Sequence, residues 1–96
     1  MSSNIARLLI DKSKSIEQRA AEVAELLPTS DTLYLRLNNI GSDGAKALST
    51  ALPRMISLVT LDLSGNNIGA EGAKALSTAL PMMTSLVTLD IDKLYW

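Results

Sequence analysis

The spacing of apolar residues changes from a period of two to a helical period, and then does so again. Leu33 and Leu35 alternate with Tyr34 and Arg36; Leu61 and Leu63 alternate with Asp62 and Ser64. Alternation of this kind predicts a short strand with one face buried. Asn38-Asn39-Ile40-Gly41 and Asn66-Asn67-Ile68-Gly69 follow, turn-forming residues around one aliphatic side chain. Gly44, Ala47, Leu48, Ala51 and Leu52 then fall on one face of a helix. Ser42 is the expected N-cap of that helix, and Asp43 suits its positive end. In the second helix Ala70 stands at the cap position, with Glu71 beside it. Pro53 and Pro81 predict where the helices close, because proline cannot continue a helix and disfavours one at the preceding residue.

The pattern recurs because the residues do. Segments 33–60 and 61–88 align without a gap and agree at 21 of 28 positions, and 89–96 begins a third copy. One strand and one helix cannot bury their own apolar face, whereas stacked copies can. The strands then form a parallel sheet and the helices an outer layer. Helices are wider than the strand spacing of about 4.8 Å, so the stack curves with the sheet inside. Ala45, Ala47 and Ala51, with Ala73, Ala75 and Ala79, keep the helix flanks small enough for close approach.

The positions Leu58, Leu61, Leu63, Asn66, Ile68, Gly72, Leu76 and Leu80 resemble the leucine-rich repeat of the ribonuclease-inhibitor type, and the first copy matches from Leu33 to Leu52. The resemblance covers 33–93 closely and 8–32 irregularly. It implies an α/β solenoid, a short right-handed βα superhelix with the parallel sheet on the concave face and helices on the convex face. It also implies an intracellular protein-binding module. The expected organisation is a single domain over 1–96. Within it, 1–32 is an N-terminal cap or diverged repeat, 33–60 and 61–88 are full repeats, and 89–96 is a truncated one. Asn38 and Asn66 stand where such repeats carry an amide ladder that bonds loop backbone in its own and the next copy.

The N-terminal segment is read from weaker signals. Residues 1–7 are expected to fray, and Leu8 to Ile10 to form an edge strand. Ser13 or Ser15 caps a helix running to about Leu27, with an apolar face at Ala20, Val23, Ala24 and Leu27. Its charges Glu17, Arg19, Glu22 and Glu25 suit an end that faces water.

Composition narrows the chemistry. The chain has no cysteine and no histidine, so no disulfide framework, Cys-based metal site or His-based catalysis is expected. No glycine-rich phosphate loop is present, and no catalytic residue, cofactor or metal site is assigned. A net charge of −1 recruits neither nucleic acid nor membrane. There is no signal-peptide pattern and no long apolar run, which favours a cytoplasmic protein. The absence of cysteine departs from the usual members of the resembling subfamily.

The expected protein-binding surface is the concave face: Tyr34, Arg36, Asp62, Ser64, Asp90 and Asp92. These positions point away from the core, and the two copies differ there, while Gly44–Pro53 and Gly72–Pro81 are identical. The alternative is a structural, self-assembling repeat, designed or truncated, whose main partner is itself. In that reading Leu94, Tyr95 and Trp96 at the C-terminal edge are the self-association residues of a homo-oligomer. Otherwise they fold over the open end.

Overall fold

The computed structural model of the chain describes residues 2–26, 31–55 and 57–91. Two helices come first, α1 (Ser2–Leu9) and α2 (Ile16–Leu26). Two strand–turn–helix coils follow: β1 (Thr32–Tyr34) with α3 (Gly41–Ala51), and β2 (Thr60–Asp62) with α4 (Gly69–Ala79). A last strand, β3 (Thr88–Asp90), opens a third coil. The strands form one open parallel sheet in the order β1-β2-β3. Leu33 pairs with Leu61 and Leu61 with Leu89, so the register equals the sequence repeat.

The two periods read from the sequence account for the core. Leu33, Leu35, Leu61 and Leu63 are buried behind the sheet. From the helices they meet Ala45, Ala47, Leu48, Ala51, Leu52 and Leu76. The small flanks matter most at Gly72. A Cβ there would come to 3.0 Å from Ala45 Cβ and 3.3 Å from Ser42 Cα. The gap between α3 and α4 therefore leaves little room for even a methyl group. Both helices run into a 3-10 turn at Leu52–Arg54 and Leu80–Met82, with the proline inside the turn.

Three local expectations are corrected. The segment expected to fray and then form a strand is helix α1. Its Ile5, Ala6 and Leu9 are buried at helical spacing, a better use of three apolar residues than an edge strand. Ser42 does not cap α3: the helix starts at Gly41 and has no side-chain cap. Its first N–H is held by the neighbouring coil instead, Gly41 N donating to Asn66 O at 2.9 Å. Arg19 does not face water; it is 4 % exposed. Its Nη1 donates to Leu9 O at 3.3 Å and its Nε to Lys14 O at 3.0 Å. It thus satisfies the carbonyl left open where α1 ends. Of the two serines weighed as caps for α2, Ser15 serves, its Oγ accepting from Gln18 N at 3.1 Å.

Strand exits are where this fold is at risk, because turning backbone leaves polar groups under the sheet. Asn66, fully buried, resolves the problem for two coils at once. Its Nδ2 donates to Leu63 O at 2.9 Å in its own coil and to Leu35 O at 2.7 Å in the preceding one. Its Oδ1 accepts from Asn38 N at 2.8 Å and from Ile40 N at 3.4 Å. The bridge shown runs back to the preceding copy. Asn38 occupies the equivalent position but has no strand coil before it among the described residues, and its Nδ2 donates to Arg36 O within its own turn. Replacing Asn66 by Ala should therefore cost at least about 3 kcal/mol, since several buried groups lose partners together. Asn38→Ala should cost about 1 kcal/mol or less. Urea denaturation of both variants checks the contrast, and equal losses would contradict it.

Candidate protein-binding face

The strand period puts every second side chain on the concave face. In-register pairing then sets these side chains in rows. Tyr34, Asp62 and Asp90 are successive partners across β1, β2 and β3. Arg36 and Ser64 follow two residues on in their own coils. Tyr34 is 61 % exposed, and Arg36 and Asp90 are also exposed. Asp62 and Ser64 are half-buried. Asp92, Leu94, Tyr95 and Trp96 lie outside the described residues.

Asp62 is organised from within its coil. Its Oδ1 accepts Ser64 Oγ at 2.7 Å and Ser64 N at 3.0 Å. The Ser64 hydroxyl first, then the Ser64 backbone N–H, hold the Asp62 carboxyl below its ordinary value, with the Arg36 charge adding to this against partial desolvation. The carboxylate stays ionised and is fixed in direction. Its Oδ2 accepts no hydrogen bond among the described residues. The face so built is amphipathic: a phenol ring and a guanidinium on the first coil, carboxylates on the second and third.

Leu37 was not among the expected site residues. It is 71 % exposed and sits at φ +58°, where the second copy has Gly65 at φ +69°. A left-handed backbone costs a branched side chain about 1–2 kcal/mol. Leu37 lies over its counterpart: a Cβ on Gly65 would run into Leu37 Cδ2. The signal was in the alignment, a leucine replacing a glycine at a turn. Together with Tyr34 it gives the first coil two large exposed apolar groups.

Among the described residues no group of three or more acidic or histidine side chains gathers as a metal site. No helix there is long and apolar enough to cross a membrane.

A family model described as Leucine Rich repeat matches residues 32–49 and 54–77, which supports a leucine-rich repeat protein. No curated protein and no solved structure matches the chain. The alternating helices and parallel strands in an open sheet are those of an α/β leucine-rich repeat solenoid. Such repeats generally mediate protein–protein interaction, and the family is typically non-catalytic.

The Asp62 geometry has a pH signature. A carboxyl depressed in the folded chain stabilises it above the ordinary value of 3.8, and that contribution is lost as pH falls through the lower folded value. Ser64→Ala should raise the Asp62 pKa toward 3.8 in a carboxyl-detected NMR titration. An unchanged titration would mean that Ser64 does not hold the carboxylate.

Proposed function

We propose, on the premise that this is a leucine-rich repeat protein, that the chain is a non-catalytic module binding another protein through the concave face of its sheet. The contact residues are Tyr34, Arg36, Asp62, Ser64, Asp90 and, in the same row pattern, Asp92. In this reading 1–96 is a single domain with 1–32 as its N-terminal cap. The 28-residue period with a helical outer half supports the ribonuclease-inhibitor-like subfamily and, with it, a cytoplasmic protein.

One observation carries the reading. The two coils are identical from Gly44 to Pro53 and from Gly72 to Pro81, at buried and exposed helix positions alike; on the outer face of the sheet they differ, Tyr34 pairing with Asp62 and Arg36 standing where the second coil has Ser64. Packing does not dictate these outward residues, so they are free to serve recognition. The partner surface that fits them carries a basic group opposite Asp62 and an apolar group opposite Tyr34. Rim charges chiefly set specificity and association rate, while a desolvated aromatic anchor supplies more of the affinity.

The test begins with a partner isolated on the purified chain and titrated by calorimetry. Asp62→Lys should weaken binding at least about tenfold, roughly 1.4 kcal/mol, with the circular dichroism spectrum unchanged. Tyr34→Ala should weaken it as much or more. Reversal of the convex-face pair, Lys46→Glu with Lys74→Glu, should leave it unaltered. A partner sensitive to the convex pair and indifferent to Asp62 would sink the proposal.

A further inference from the structure

The first turn of α3 is one wall of a cleft of about 610 Å³. The other walls are the loop between α1 and α2, with Ile10 and Lys12, and the buried Arg19 of α2. The volume lies within the range of small-molecule sites, roughly 300–1,000 Å³. These walls meet at one atom, Leu9 O at the end of α1. It accepts from Arg19 Nη1 at 3.3 Å, and a Cβ on Gly44 would come to 3.3 Å from it. The guanidinium and the first turn of α3 therefore lie side by side.

Capping carbonyls accounts for only part of Arg19. Its Nε and Nη1 are taken by Lys14 O and Leu9 O, while Nη2 donates to no group among the described residues. No carboxylate there pairs with it either; the ion pair among the described residues joins Lys14 to Glu22. Asp11 lies within its field, yet Asp11 Oδ1 is occupied by Ser13 N and Ser13 Oγ. A buried charge without a counter-charge is costly unless an anion completes it. On the facing wall, α3 has no side-chain cap, so the N–H groups of Ser42 and Asp43 lack the acceptor that a helix interior would supply. Lys12 and Arg19 outweigh Asp43, the carboxylate on the lining, and Ile10, 43 % exposed, adds an apolar surface.

We propose that this cleft binds a small organic phosphate. The phosphate head lies between Arg19 Nη2, Lys12 and the N–H groups of Ser42 and Asp43, where a guanidinium and a helix N-terminus both favour an anion. Three donor sets on different walls suit the three outer oxygens of a phosphate monoester better than the two of a carboxylate. The apolar body lies against Ile10. All the lining residues fall within 9–67 and are described, and none belongs to the outward rows of the sheet. The inference does not rest on the concave-face reading.

Amide NMR of the full chain, titrated at fixed ionic strength with inorganic phosphate, phenyl phosphate and benzoate, tests it. Phenyl phosphate should shift the Ser42, Asp43 and Gly44 amides and the Arg19 Nε–H saturably. It should bind at least about fivefold more tightly than inorganic phosphate, which lacks the body, and than benzoate, which lacks the head. Lys12→Gln should raise its dissociation constant about fivefold, and Asp43→Asn should lower it about as much, the effect of one charge at contact distance in water. Both positions are exposed, so neither change disturbs the core. Arg54→Gln, just past the other end of α3, should leave the constant unaltered. Shifts that do not saturate would overturn the proposal. So would benzoate or inorganic phosphate binding as tightly as phenyl phosphate, or a constant indifferent to Lys12 and Asp43.

Discussion

One buried amide determines whether two coils can share a sheet. A parallel stack needs every strand to turn out of the sheet at the same height, and each turn leaves carbonyl and N–H groups away from water. Backbone alone cannot pair them all, because adjacent turns are offset by the strand spacing. Asn66 suits the position because one side chain both donates and accepts. Its Nδ2 ties Leu35 O to Leu63 O, and its Oδ1 holds Asn38 N. The register that sets Tyr34 beside Asp62, and so builds the outer face, follows from this bridge and the strand ladder together.

The constraint divides the coil into two kinds of position. Inward residues answer to packing: Gly72 must be small because Ile68 of its own coil, and then α3, lie against it, and the leucines behind the sheet fill one continuous core. Outward residues answer to water or to whatever binds there. Leu37 belongs to neither group comfortably. The turn favours a left-handed residue, glycine at 65 supplies it without strain, and the first coil instead carries an exposed leucine at φ +58°. Strain of that kind persists only when the surroundings hold it, and the bridged turn does so here.

The repeated part of the fold was legible because each element there is written twice. Two matched copies fixed the strands, turns, helices and buried asparagine, and the outward rows followed from the period of two. The N-terminal part is written once and in a different idiom. Leu8-Leu9-Ile10 reads as a strand in isolation, yet Ile5, Ala6 and Leu9 make a helical face once α2 and α3 are there to receive it. Arg19 reads as a surface charge because its value lies in two carbonyls that no linear pattern points to, Leu9 O and Lys14 O. The cap expected at Ser42 failed for a related reason: the α3 N-terminus is held by backbone from the next coil, a contact between residues far apart in the chain. Local rules served where local structure decides, and tertiary contacts overrode them in the N-terminal helices and at the start of α3.

The most direct test of the account is hydrogen exchange of the Asn66 side-chain amide and the Asn38 backbone amide, followed by NMR at neutral pH. If Asn66 bridges the coils, both exchange slowly and at similar rates, opening only when the two coils separate. Fast exchange of the Asn66 amide, with the strand amides still protected, would show that the coils are held in register without it and would contradict the account.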